Sequence, residues 1–207
     1  MSSPGRGGHP LAMRAADTAF QCRSELAALF NMKEPERVIF TTNATHGLNI
    51  AIKSLVPRGG RVVVSGYEHN AVTRPLAALG ADISAADAPP FDRETAVAAF
   101  ERLIVPGIDA VICNHVSNVF GCIQPIEAVA ELCRDRGVPL IVDASQSAGI
   151  LPLDMERLGA AFIAMPGHKG LYGPQGTGIL LCGGDGLPAA LLEGGTGSIS
   201  IQQEMPD

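Results

Sequence analysis

No stretch of this 207-residue chain approaches the roughly 20 consecutive apolar residues that span a bilayer, so it offers no candidate membrane helix. Its first fifteen residues, MSSPGRGGHPLAMRA, hold Pro, Gly and Arg but no apolar run, and they do not read as a secretory signal. Basic residues are few and dispersed: 15 Lys and Arg against 21 Asp and Glu give a net charge of −6. A nucleic-acid face would need clustered cations, and none is present. The cysteines (Cys22, Cys113, Cys122, Cys133 and Cys182) form no CxxC pair, so metal binding has no support. Five is also an odd, unpatterned count, which favours reduced thiols and a cytoplasmic home over a disulfide framework. No internal repeat and no low-complexity linker divides the chain. No G-x-G-x-x-G follows the first expected strand, which argues against a dinucleotide-binding domain.

What the chain does have is core-forming material. Hydrophobic residues make up 46% and charged residues 17%, as in a globular domain and unlike a disordered tail. Short β-branched or apolar runs predict strands at residues 38–42, 61–65, 81–87, 109–115, 138–145, 160–165 and 177–182. Apolar residues at helical spacing predict helices over 44–55, 69–80, 93–104 and 126–137, the second and fourth stopped by Gly80 and Gly137. An Ala-rich stretch at 10–31 predicts a further helix packed outside the sheet. Strands alternating with helices at this spacing give an α/β fold of three layers with a mostly parallel sheet, one domain over residues 1–207. The runs VVVS, AVIC and LIVD are apolar almost without break, as expected when helices cover both faces.

In open α/β sheets ligands bind beyond the carboxyl ends of the strands. Polar and ionisable residues gather at five such ends: residues 41–47, 67–70, 115–118, 143–146 and 166–170. Each has an ordinary explanation by itself. Asp143 would serve as a helix cap, Asn118 as a turn residue, Thr42 and Thr45 as caps, and His69 as a surface histidine. The Gly-rich GHKGLYGPQGTG would be a plain loop, since Gly-Lys outside a Walker spacing is a weak phosphate signal. Together they supply the parts of a pyridoxal 5′-phosphate (PLP) site. Such a site needs a lysine for covalent attachment and proton transfer, and a carboxylate for the pyridine nitrogen. It also needs a helix N-terminus for the phosphate.

The motifs resemble the fold-type-I PLP enzymes, and among them the class V aminotransferase and cysteine desulfurase family. VDASQSAG at 142–149 and PGHKGLYGPQGTGIL at 166–180 are similar to the family's Asp-x-x-Gln and Gly-His-Lys segments. TTNATHGLN at 41–49 resembles its phosphate cup, SGYEHNA at 65–71 its Glu-His segment, and HVSNVFG at 115–121 its Ser-Asn-x-x-Gly strand end. The resemblance implies that Lys169 is the Schiff-base lysine and acid/base, that Asp143 pairs with the ring nitrogen, and that Gln146 reaches the 3′ oxygen. It implies that His69 stacks on the ring and assists proton transfer, and that Asn118 lies near the 3′ oxygen or the substrate. Ala44, through its N–H, Thr45 and His168 would contact the phosphate.

The implied activity is that of a cysteine desulfurase, converting L-cysteine to L-alanine with sulfur passed to a protein thiol. A class V aminotransferase and a selenocysteine or β-eliminating lyase are the alternative enzymes, and a catalytically incompetent PLP-fold fragment is the non-enzyme alternative. A small amino acid would be the substrate, a homodimer the assembly, and a sulfur-acceptor protein a further partner. The sequence departs from the family where Pro166 replaces a serine hydroxyl common in desulfurases. It also lacks an Asn-Ala-Ala-Thr-like start, and it ends at a Gly-Gly segment, LLEGGTGSISIQQEMPD. The expectation is a large domain without the N-terminal segment and the small C-terminal domain, which in the family carries the substrate-clamping arginine and the sulfur-accepting cysteine. Cys113 and Cys133 read as core; Cys122, just after Asn118, could approach the site, but buried packing is the ordinary place for a free cysteine.

Overall fold

Alternate side chains of a strand point to opposite faces, and here both faces are covered, which is why the strands read as unbroken apolar runs. The computed structural model describes residues 9–184 and 188–192. Its strands are β1 (Val38–Thr41), β2 (Arg61–Ser65), β3 (Asp82–Ala86), β4 (Ala110–Asn114), β5 (Leu140–Asp143), β6 (Phe162–Pro166) and β7 (Gly178–Cys182). They form one sheet in the order β1-β7-β6-β5-β4-β2-β3. Four neighbouring pairs are parallel, whereas β7 runs antiparallel to both β6 and β1. The mostly parallel sheet of the sequence reading is therefore present with a single reversed strand.

The helices are α1 (Pro10–Leu29), α2 (Ala44–Leu55), α3 (Asn70–Leu79), α4 (Arg93–Leu103), α5 (Ile126–Arg136) and the single turn α6 (Met155–Leu158). On one face, Val62, Val64, Ile112, Ile141 and Leu180 of the sheet pack with Leu48 and Ile52 of α2 and Leu76 of α3. On the other, Val63, Val111, Val142 and Ile163 meet Phe100 of α4 and Val129 and Cys133 of α5. This is a three-layer α/β sandwich. α1 lies against β1 at the margin, burying only Ala12 and Ala27. Two short elements escape sequence periodicity: α6 and a 3-10 turn at Pro35–Arg37. β6 starts at Phe162, two residues later than the apolar run. The Gly-Gly segment lies outside the described residues from position 193 onward. Among the described residues no helix is long and apolar enough to cross a membrane. Nor, among them, could any group of three His, Cys, Asp or Glu hold a metal ion.

The topology determines where a ligand would sit. Thr41 of β1 and Pro166 of β6 both pair with Gly178, so β1 points the same way as the parallel strands. The carboxyl ends of β1, β2, β4, β5 and β6 thus share one edge. From β2 the chain steps outward to β3 and then returns to β4 on the other side, so the order reverses between β2 and β4. A crevice forms at such a switch point.

Candidate active site

A cavity of about 190 Å³ opens at that edge. Its first wall is the start of α2. Asn43 caps this helix, its side-chain oxygen accepting the His46 N–H at 2.8 Å, while its carbonyl accepts from Gly47 N–H at 3.3 Å. Four amides open any helix without an intrahelical acceptor of their own. Here these are the amides of Asn43 to His46, since Gly47 N–H already makes the first helical bond. With that of His46 taken by the cap, those of Asn43, Ala44 and Thr45 are left over at the positive end of the helix dipole, the arrangement that binds phosphate. Gly178 permits it, because a Cβ there would come within 2.7 Å of the Asn43 backbone.

The floor is polar and enclosed. Asp143 ends β5 with 5% of its surface exposed, and its Oδ1 accepts the Ser145 N–H at 2.9 Å. In the register, Asn114 of β4 stands opposite Asp143. The Asn114 backbone N–H donates to Glu68 Oε1 at 2.7 Å, and its Nδ2 donates to the Tyr67 carbonyl at 2.6 Å. Glu68 keeps part of its stem near solvent, but its carboxyl group is enclosed. Burial, with the Asp143 charge adding, pushes that carboxyl up to about 8 against hydrogen bonds from Ser65 and Asn114 that favour ionisation. Burial likewise lowers His115 and pushes the Cys113 thiol up.

His69 caps α3, its Nδ1 accepting the Ala71 N–H at 3.1 Å. That nitrogen is therefore unprotonated in the cap, which leaves Nε2 to carry a ring proton. The Tyr67 ring meets Phe120 edge to face at 5.7 Å between centroids, tying the turn after β2 to the loop after β4. Within that second loop, Ser117 Oγ accepts the amides of Val119 and Phe120 at 3.3 Å each and orders the turn that carries Asn118.

Lys169 projects from the β6–β7 connection, which is pinned by Gly167 N–H to the Thr177 carbonyl (2.9 Å) and Gly173 N–H to the Gly167 carbonyl (2.8 Å). Gly149 has φ +79° and lies backbone to backbone against Gly170, with no room for a side chain at either. That contact clamps the Gln146 loop to the Lys169 loop.

All eight residues singled out by sequence, Ala44, Thr45, His69, Asn118, Asp143, Gln146, His168 and Lys169, line this one cavity. Lys169, His168, Thr45, His69 and Asn118 are exposed at its rim, and Asp143 is buried. Pro166 also lines it. Sequence reasoning gave no site role to Asn43, Ala71, Asn114, Val116 and Ser145, which line it too. Each lies within two residues of a motif position, so the signal was adjacency alone. Cys113, Cys122, Cys133 and Cys182 are buried and Cys22 is exposed; none of the five lines the cavity. Cys122 is buried, as the packing reading expects, and takes a hydrogen bond from Gln124 at 3.5 Å.

A family model described as aminotransferase class-V matches residues 1–205. The chain is 33% identical over 208 residues to a protein of Methanothermobacter thermautotrophicus named "Probable cysteine desulfurase", a match covering 94% of this chain and 50% of that one. It is 33% identical to the cysteine desulfurase IscS of Shewanella denitrificans, over 86% of this chain and 45% of the relative. The solved apo structure of a cysteine desulfurase from Thermococcus onnurineus superposes with a TM-score of 0.79 at 30% identity, over 86% of this chain and 46% of the other. The chain spans about half the length of the curated relatives it matches.

Proposed function

The chain belongs to the aminotransferase class-V family, and from that premise we propose that it carries the PLP site of a cysteine desulfurase-like enzyme. That enzyme converts L-cysteine to L-alanine and passes the sulfur to a protein thiol. The observation that carries the reading is the lining of a single pocket by the spare amides that open α2, the buried carboxylate of Asp143 and the side chain of Lys169. These groups fit the ligand chemically: amides for a phosphate, a carboxylate for a basic ring nitrogen, and an amine for an aldehyde.

Bound there, PLP supplies an electron-accepting ring that stabilises negative charge at the α-carbon of an amino acid. Lys169 Nζ is the attachment point and then moves the proton at that carbon. Asp143 holds a proton on the ring nitrogen. Gln146 holds the 3′ oxygen, and Asn118 holds that oxygen or the substrate. Ala44 and Thr45, with His168, bind the phosphate. His69 covers the ring face, and with Nδ1 accepting in the α3 cap, Nε2–H is left as its hydrogen-bond donor, so proton transfer at Nε2 requires Nδ1 to leave the cap. Four of the five cysteines are buried and none lines the pocket, so the accepting thiol lies outside these five. In this reading the protein works in the cytoplasm as a homodimer. The exposed Val119, Phe120 and Ile123 beside Asn118 offer apolar surface for a second copy.

An absorbance titration with PLP, followed by borohydride reduction and peptide mapping, tests the site. The expected result is a new visible band, with pyridoxyl covalently fixed on Lys169 and lost in Lys169→Ala. A folded protein that gives no band, or labels other lysines equally, would overturn the reading. Alanine and persulfide release from added L-cysteine then tests the substrate.

A further inference from the structure

Glu68 has no part in the cofactor contacts above and does not line the pocket, yet its enclosed carboxyl group is bonded to Asn114, which does. Its Oε1 is 2.5 Å from Ser65 Oγ, and Ser65 Oγ is 3.0 Å from Asn114 Oδ1. Asn114 is oriented by the Tyr67 carbonyl, a pure acceptor 2.6 Å from Nδ2; a flipped amide would set oxygen against oxygen. Asn114 Oδ1 is therefore an acceptor. The chain Glu68 Oε1, Ser65 Oγ, Asn114 Oδ1 contains two hydrogen bonds and needs two protons. Ser65 brings one, and only Glu68 can bring the other.

With that proton on Oε1, every polar atom of the network but one is satisfied. Oε1 donates to Ser65 and accepts the Asn114 N–H. Ser65 Oγ accepts from Glu68 and from Tyr67 N–H (3.3 Å) and donates to Asn114. The one atom left over, Glu68 Oε2, is buried with no donor. An ionised oxygen in that position would be costly, whereas the bare carbonyl of a neutral acid is tolerated far better. The charged or titratable groups bearing on this carboxyl are Asp143 on β5 and Cys113 on β4, and neither offers it a compensating positive charge.

We propose that Glu68 is a neutral carboxylic acid in the folded protein, and that this acid is the positioning residue joining the end of β2 to the end of β4 beside Asp143. It acts through Asn114, the register partner of Asp143, and through the turn that presents His69. A glutamine cannot substitute fully. Its amide nitrogen at the Oε1 position would oppose the Asn114 N–H, and its oxygen there would draw the Ser65 proton away from Asn114.

The assignment of the proton stands without the cofactor reading, and the positioning role rests on it. Infrared spectroscopy of the cofactor-free protein near neutral pH tests the first. A protonated-carboxyl C=O band that shifts in D2O, vanishes in Glu68→Gln and persists in Asp143→Asn is expected. No such band in the wild-type protein, or one that disappears only with Asp143→Asn, would overturn the proposal. PLP titration tests the second. Glu68→Ala, which removes the link, should weaken binding by about tenfold, and unchanged affinity in that variant would overturn the positioning role. Failure of the wild-type protein to bind PLP while the infrared band is present would instead count against the cofactor site alone.

Discussion

Two carboxyl groups flank Asn114, Asp143 lining the pocket and Glu68 behind it, and their surroundings treat them differently. Asp143 accepts a backbone N–H, whereas Glu68 is enclosed with one oxygen unpartnered. Because the folded Glu68 carboxyl is raised to about 8, the native state holds a proton that the unfolded chain releases near the ordinary glutamate value. Its contribution is fully present below about 4.3, falls as pH rises toward 8, and is gone above that. Urea melts of wild type and Glu68→Gln across this window should therefore differ progressively. The wild type should lose on the order of a few kcal/mol relative to the variant, and parallel pH profiles would contradict the raised value. Asp143→Asn keeps an oxygen to accept the Ser145 amide, so the fold should survive with an unchanged melting profile. PLP affinity should nevertheless fall by about tenfold or more, the scale of a lost hydrogen bond to a charged group, as read by titration.

At the scale of elements, the predicted α2 and β2 match the folded segments residue for residue, since Asn43, Gly60 and the hydrophobic spacing punctuate them locally. α3 and α5 end where left-handed Gly80 and Gly137 stop them. α6 was not legible because a single turn of four residues has no period to detect. The cap of α2 links stability to ligand binding. Asn43→Ala removes the acceptor for His46 N–H and should cost about 1 kcal/mol in denaturant unfolding, with weaker binding of inorganic phosphate. Gly178→Ala would drive a methyl group into Asn43 and Thr41 Oγ1. A loss of about 1–3 kcal/mol, typical of overpacking, is expected in the same measurement; a neutral outcome would show that β7 and the cap are not in close contact.

The whole molecule depends on one sheet with a hydrophobic layer on either face. Phe100, fully buried, anchors α4 to the layer opposite the pocket's helices α2 and α3. Truncation by Phe100→Ala should cost about 3–5 kcal/mol by denaturant melting, without moving a pocket residue. If Val119, Phe120 and Ile123 meet a second copy, sedimentation should give a dimer that Phe120→Asp dissociates, whereas a wild-type monomer would count against the interface. The order of strands and helices and the eight candidate residues were legible in the chain alone. Hydrophobic period, capping residues and glycine stops act over a few positions, and the motifs cluster at strand ends. The reversed direction of β7, the switch point between β2 and β4, and the pocket places of Asn114 and Ser145 were decided only by tertiary structure. So was the proton on Glu68. Pairing partners far apart in sequence, and the withdrawal of water from a particular carboxyl, exist only once the strands have assembled.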